Sequence, residues 1–399
     1  MLKFEIALKK VLDKTKILNP EEVPLDKSVD CVLAENIKAS IDLPPFNKSA
    51  MDGYALRSID LKSIPQQLKC LGTVKPGKVF KREIKKGECA KIMTGSAMPE
   101  GSDSVIMIEF TEKDRKPGGV RVLKGTQKSE NVCFKGEDVK KGTDVLKKGM
   151  LLRGPEVAIA AALGRKKLKV YRKPRVAILN TGDEIVQPGK NLAGNKIYNS
   201  NGPMLLSLLS SIDIEVDYLG IVKDKKEDLR KMIKKGLRDD IFLLSGGVSM
   251  GEFDLVPKVL KECTVKQVFH KISMKPGKPV FFGTKKSGLI FGIPGNPVST
   301  YLIFLVLIKT VIEKMMGRIP HLDIRRGILK EDFKQKPDKR KHFIPAKVFR
   351  KGEQLYVFPI KGYHGSADIA SLSLANAFMI VEGTVSFLKK NSRVQILLW

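Results

Sequence analysis

The sequence predicts a multidomain α/β plus β protein, on three observations. From Arg175 onward, short apolar runs alternate with helical patterns, the order of a doubly wound α/β domain. Residues 68 to 110 and 120 to 146 hold short β-like runs between Gly, Pro and charged turns. After about residue 320 strand patterns recur with Gly and Pro turns, which reads as a compact β-barrel or sandwich. At 399 residues the chain has room for two to four such domains.

Taken in order, "MLKFEIALKKVLDK" sets Phe4, Ala7, Leu8, Val11 and Leu12 at helical spacing. Its interspersed acids and lack of a small-residue cleavage site do not fit a signal or transit peptide, so a cytoplasmic location is expected. Residues 1–44 and 139–172 read as two helical pieces of one discontinuous, elongated N-terminal domain. Residues 45–138 form the small β-rich insertion between them. Residues 173–318 form the α/β domain, with strands such as "RVAILN", "IFLLS" and "LIFGIP" and helices such as "KKEDLRKMIKKGL". The longest apolar run, "YLIFLVLI", stops at Lys309, far short of the roughly 20 residues that span a bilayer, and reads as a buried helix. Residues 319–399 complete the chain as the C-terminal β-barrel.

Composition excludes several functions. Five cysteines form no CxxC pair, and four histidines show neither HxxxH nor HExxH spacing, which argues against a disulfide framework, structural zinc and zinc hydrolase chemistry. The formal charge of +30 favours anionic partners. Its lysine pairs are spread along the whole chain without a dense arginine tract or aromatic interleaving, so no specific nucleic-acid or membrane partner is expected.

Ligands of open α/β sheets bind beyond the carboxyl ends of the strands. There the sequence places "NTGDE", "VKD", "SGGVSMGEFD" and "PGNPVS", with "KPGKP" adding Lys275 and Lys278. Gly246 and Gly247 would let backbone N–H groups approach an anion, although a plain tight turn reads the same way. Glu184, Asp224 and Asp254 are candidates to hold Mg²⁺, against the alternative that each acid caps a helix.

Four sets of strings then meet in one chain: "NKSAMDGYAL", "IMTGSAMPEGSDSVIM", "TGDE" with "SGGVSMGEFD", and "KPGKP" with "GIPGNPVS". Together, in this order and over nearly the full length, they closely resemble the MoeA family of molybdopterin molybdenumtransferases, related to the gephyrin E domain. The resemblance implies that residues 173–318 bind molybdopterin. The implied reaction inserts molybdenum from molybdate into adenylylated molybdopterin and releases AMP with Mg²⁺ assisting. It also implies a homodimer whose cleft joins the α/β domain of one subunit to the N-terminal β domain of the other.

On that resemblance Asp52, Thr94, Glu184 and Asp254 are the catalytic candidates. Ser49, Met51, Asp138, Thr181, Gly182, Gly246, Gly247, Ser249, Lys275, Lys278, Pro294, Gly295, Asn296, Pro297 and Ser299 are the candidates for binding substrate. Arg340 and Ser366 match positions that the family associates with molybdate. Read without the family, Asp52 before Gly53 is a good turn residue, and Arg340 lies in a basic run that would usually be solvated. The chain departs from the family pattern at Asn47 and Lys48, at "CFK" (Cys133 to Lys135), and at Asn199 in "YNSN". Two other readings stay open: a gephyrin-like dimeric scaffold, and a molybdopterin adenylyltransferase, an enzyme that is also a possible partner.

Overall fold

The computed structural model describes residues 1–114, 117–248 and 255–399. Internal contacts divide the chain into two units, Val23–Leu168 and a second made of Met1–Glu22 with Lys169–Trp399.

The chain begins with helix α1 (Phe4–Lys14), which buries Phe4, Ala7 and Val11 in the core of the second unit. In the first unit, β1 (Gly53–Leu56), β2 (Gln66–Val74), β3 (Glu88–Ile92), β4 (Ser104–Met107), β5 (Thr111–Lys113) and β6 (Gly119–Val122) form one sheet in the order β4-β1-β3-β2-β6-β5. Successive residues feed opposite faces, as the period of a strand requires. Leu56, Cys89 and Ile106 join the core on one side, and Ala55, Ala90 and Val105 the core on the other. Gly53 is required at the crowded centre, because a Cβ there would lie 1.9 Å from the Ile106 carbonyl oxygen.

The flanking stretches are less helical than the sequence reading expects. In this unit's flanks the described α-helix is α2 (Gly154–Ala162), held at its start by Glu156, which accepts from the Arg153 N–H at 2.9 Å. The rest runs as extended chain with two-residue ladders, Ile37–Lys38 against Asp144–Leu146 and Lys48–Ser49 against Val132–Cys133. Prolines 24, 44 and 45 and the positive-φ turns at Gly142 and Gly149 explain this, since they interrupt helix at short intervals.

The second unit is built on β7 (Val176–Thr181), α3 (Asn201–Ser210), β8 (Val216–Val222), α4 (Lys226–Gly236), β9 (Ile241–Ser245), α5 (Val256–Glu262), β10 (Lys266–His270), β11 (Phe281–Lys285), β12 (Gly288–Ile293), α6 (Pro297–Ile303) and α7 (Lys309–Met315). The sheet order is β8-β7-β9-β12-β11-β10, with the first four strands parallel. Helices cover both faces: Ile178 and Leu243 pack toward α3 and α6, Leu179 and Leu244 toward α4 and α5. Strand β11, absent from the sequence reading, forms an antiparallel hairpin with β12. The run Tyr301 to Ile308 is helical as expected; Phe304–Ile308 is a buried π-type segment between α6 and α7. No helix among the described residues is long and apolar enough to cross a membrane.

The C-terminal strands β13 (Ile324–Leu329), β14 (Lys341–Lys351), β15 (Gln354–Pro359), β16 (Ala377–Glu382) and β17 (Arg393–Leu398) pair in the circuit β14-β15-β13-β17-β16 and back to β14, a closed five-stranded barrel. Its interior holds Leu329, Val348, Val357, Met379 and Ile396. Helix α8 (Ile369–Leu374) lies between β15 and β16, capped by Asp368, whose carboxylate accepts from the Ser371 N–H and hydroxyl. The short strand Met274–Lys275 pairs in parallel with Lys341 and His342 of β14, so the barrel and the sheet domain share one cavity wall.

Candidate active site

Within Val23–Leu168, three loops converge on the motif residues. Ser49 donates its N–H to Ser96, and Gly95 donates to Ser49. Val132 and Cys133 pair with Ser49 and Lys48. The buried Ser49 hydroxyl donates to the Met51 carbonyl at 2.5 Å, which fixes the turn that exposes Met51 and Asp52. Asp52 Oδ1 accepts from both Thr94 N (2.7 Å) and Thr94 Oγ1 (3.0 Å). These two bonds, the backbone one first, hold the Asp52 carboxyl below its usual range against partial burial, with Lys91 adding to them. Asp52 is therefore an exposed, ionised and positioned carboxylate.

The departures within this unit, at Asn47 and the Cys133 to Lys135 stretch, have structural roles. Asn47 Oδ1 accepts from Lys135 N at 2.8 Å, tying the loop 133–138 to the 47–52 turn. Lys135 lies 3.6 Å from Asp42. Asp138 is exposed on the same loop, anchored by its N–H to the Leu43 carbonyl.

Within the second unit, the strand-end loops lie at the carboxyl edge of the sheet. Gly246 (φ 97°) and Gly247 (φ 61°) turn the chain after β9, and a Cβ on Gly246 would fall 2.2 Å from the Thr181 carbonyl oxygen. A Cβ on Gly247 would meet methyl groups of Val256 and Thr181 at 2.9 and 3.0 Å. Packing against β7 and α5 thus accounts for both glycines. Thr181 donates its hydroxyl to Asp224 Oδ1 at 2.5 Å, and the Glu184 carboxylate folds over Gly182 within 2.6–2.9 Å of where a Cβ would be. Ser249 and Asp254 lie outside the described residues. Among the described residues no set of three His, Cys, Asp or Glu side chains is gathered to hold a metal ion.

Asn199 spans two partners: its Oδ1 accepts from Gly202 N (3.0 Å) and its Nδ2 donates to Tyr218 OH (2.9 Å). Asn201, which the sequence reading did not single out, is buried and donates to Ser245 Oγ (2.9 Å) and the Gly295 carbonyl (2.7 Å). It bridges the loops after β9 and β12.

Lys275, Lys278, Pro294, Asn296, Ser299, Arg340 and Ser366 all line one cavity of about 630 Å³ between the sheet and the barrel. Asn296 Nδ2 donates to Ser366 Oγ at 2.7 Å, and Val298 N to the Ser366 carbonyl at 3.1 Å. Gly295 and Pro297 flank Asn296 on the loop into α6. The wall of this cavity carries the cations Lys275, Lys278, Lys334 and Arg340, and among the described residues no Asp or Glu lines it.

Sequence reasoning missed His342, one of two histidines that line the cavity. His342 is fully buried, and its Nδ1 meets Gln335 Oε1 at 2.6 Å. Gln335 Nε2 donates to the carbonyls of Glu382 and Val385, so its oxygen faces the ring and Nδ1 carries the proton. Nε2 lies 3.0 Å from Asp338 Oδ1, outside hydrogen-bond alignment. Burial lowers the pKa of His342, opposed by Asp338 and reinforced by Lys275 and Arg340. Asp338 also binds Arg340 Nε at 2.9 Å and Nη2 at 2.5 Å. Burial pushes the Asp338 carboxyl up, but the Arg340 bonds and His342 outweigh it and hold the group far below the carboxylate range. Arg340 is thus oriented rather than loosely solvated.

Comparison with known proteins now bears on these loops. Three family descriptions match in succession: MoeA N-terminal region (domain I and II) over residues 2–164, probable molybdopterin binding domain over 177–314, and MoeA C-terminal region (domain IV) over 326–399. A molybdopterin molybdenumtransferase of Staphylococcus epidermidis is 31% identical over 398 residues, covering 98% of this chain and 94% of that protein. One of Staphylococcus aureus is 32% identical over 402 residues with the same coverage. The crystal structure of a molybdopterin biosynthesis MoeA protein from Pyrococcus horikoshii superposes with a TM-score of 0.83 at 33% identity, covering 100% of this chain and 99% of that one. With all three regions matched and full-length relatives above 30% identity, the chain belongs to the MoeA family of molybdopterin molybdenumtransferases.

Proposed function

We propose that this enzyme of molybdenum cofactor biosynthesis transfers molybdenum from molybdate to an adenylylated molybdopterin and releases AMP with Mg²⁺ assisting. The observation that carries the reading is the cavity wall with Lys275, Lys278, Lys334 and Arg340 and, among the described residues, no lining carboxylate, since it favours a multiply charged anion. Arg340, oriented by Asp338, presents N–H donors to a tetrahedral oxyanion, and Ser366, linked to Asn296, adds a hydroxyl. Lys275 and Lys278 offset phosphate charge nearby. Asp52, fixed by Thr94, serves as an ionised carboxylate acceptor toward the pterin.

Among the described residues the donors available to Mg²⁺ are oxygens: the Glu184 and Asp224 carboxylates and the Thr181 hydroxyl, at the carboxyl ends of β7 and β8. That set fits a hard cation that keeps several waters, and does not fit zinc. Glu184 and Asp224, with Asp254 as the third candidate, would hold it. When bound, the cation offsets charge that develops on the departing phosphate. Asp224, Glu184 and Thr181 orient that ligand sphere, while the lysines keep the anhydride seated.

The test is release of AMP from adenylylated molybdopterin, followed with and without molybdate. Release that requires molybdate and yields metal-loaded cofactor supports the reading. Tight binding with no release supports a scaffold instead, and consumption of ATP with unmodified molybdopterin supports an adenylyltransferase. A homodimer is part of the proposal, and a monomeric mass in solution at catalytic concentration would remove it.

A further inference from the structure

We propose that Cys70 and Cys89 form a redox-active dithiol, closed to a disulfide by thiol exchange with a small-molecule disulfide. The two residues are register partners on the parallel strands β2 and β3. Adjacent strands run about 4.7–4.9 Å apart, inside the Cα separation that a disulfide spans. Both side chains face the same core: Cys89 is fully buried among Leu56, Leu68 and Ile106, and Cys70 packs on that cluster from its half-buried edge.

The pair is polarised for exchange. The Cys89 thiol hydrogen-bonds to the Cys70 sulfur, and that bond, before all else, lowers the pKa of Cys70; burial opposes it, and Gly72 and Lys91 reinforce it. The same bond, then burial, raises the pKa of Cys89. Cys70, half-buried where Cys89 is fully buried, is the sulfur a small disulfide can reach and so the attacking one, with Cys89 the resolving thiol.

The balance is simple. The Cys70 thiolate attacks one sulfur of the small disulfide, that S–S bond breaks, and one thiolate leaves. Cys89 then loses its proton, its sulfur attacks the mixed disulfide at Cys70, and the second thiolate leaves. Two protein thiols are oxidised and one small disulfide is reduced to two thiols. Strand β3 runs on to Thr94, the partner of Asp52, so the new bond would fix the strand that leads into that loop.

The experiment treats the folded, fully reduced chain with glutathione disulfide, quenches with acid, and maps peptides by mass without reduction. Expected are a Cys70–Cys89 cross-linked peptide and two equivalents of glutathione released per chain. Cys89→Ser should stop at a glutathione adduct on Cys70 with one equivalent released, and Cys70→Ser should leave Cys89 unmodified. Circular dichroism checks that both variants fold, and the native chain's peptide map decides even if one does not. A persistent glutathione adduct on Cys70 of the native chain, no modification of Cys70, or a cross-link to Cys31, Cys133 or Cys263 instead would each overturn the proposal.

Discussion

Gly246→Ala is the sharpest perturbation, because it separates backbone conformation from contact. At φ 97° an L-residue is strained, at a cost of roughly 1–2 kcal/mol. The added Cβ would also fall 2.2 Å from the Thr181 carbonyl oxygen, a backbone atom of β7 that cannot rotate aside. Overpacking of that kind costs about 1–3 kcal/mol, so the sum is about 2–5 kcal/mol. Two controls divide the terms. Gly189→Ala, at φ 88° with nothing within 4 Å, should lose only the conformational part. Gly295→Ala, whose Cβ would first meet Gly246 Cα at 4.0 Å, should change stability by less than about 0.5 kcal/mol. Urea unfolding followed by Trp399 fluorescence gives the comparison, since the single tryptophan packs against Tyr301 and Phe378 within this unit. If Gly246→Ala unfolds at the same midpoint as Gly189→Ala, the close approach to β7 is wrong.

Four further expectations can be checked separately. Asp240 receives Arg172 through two bonds of 2.7 and 2.8 Å and the Arg175 N–H at 2.9 Å, so Asp240→Ala should cost about 2–4 kcal/mol by urea unfolding. Burial raises the Asp240 carboxyl, but Arg172 and Arg175 lower it further, so its folded pKa is depressed. Its contribution is then complete above the unfolded value of about 3.9 and lost as pH falls through the folded pKa, and the stability gap between native chain and Asp240→Asn should close in acid. Arg340→Ala should raise the KM for molybdate about tenfold or more with less effect on binding of the pterin, and equal losses of both would remove it from the oxyanion site. Asn199→Asp should keep the Gly202 contact and most activity, whereas Asn199→Ala should destabilise the start of α3 by about 1 kcal/mol on thermal unfolding. Chelation should abolish AMP release and added Mg²⁺ restore it, and activity surviving exhaustive chelation would count against Glu184 and Asp224 as ligands.

Much of the architecture was legible because its signals are local. The apolar runs "VAIL" and "IFLL" that open β7 and β9 are buried on both faces, as a parallel sheet requires. Strand β11 escaped because only "LIFGIP" was marked as a strand in this stretch, although "KKSG" marks a hairpin and Lys286 adopts positive φ there. The flanks were read as helical, whereas proline spacing dominates their backbone. The family resemblance grouped Asp52 with Thr94 and Arg340 with Ser366; Thr94 bonds Asp52, and Arg340 and Ser366 line one cavity. Motif spacing could not foresee Asn201 or the Gln335–His342–Asp338 chain, since those depend on which loops meet after folding. Asn47 and Asn199, noted as changes of charge, prove to hold backbone N–H groups through their amide oxygens.

The two-residue strand Met274–Lys275 has a consequence for how this protein can be dissected. Because it pairs with Lys341 and His342, the barrel is not an autonomous module. A fragment beginning near residue 319 would leave that edge of β14 bare and uncover Phe343, on which the Phe4 ring rests edge-on at 5.6 Å. An unpaired strand edge beside an exposed aromatic invites self-association. The converse fragment, ending before the barrel, would strip the cover from Phe4 and Tyr301. Attempts to express either half alone should give aggregates, while co-expressed halves should recover each other from the soluble fraction.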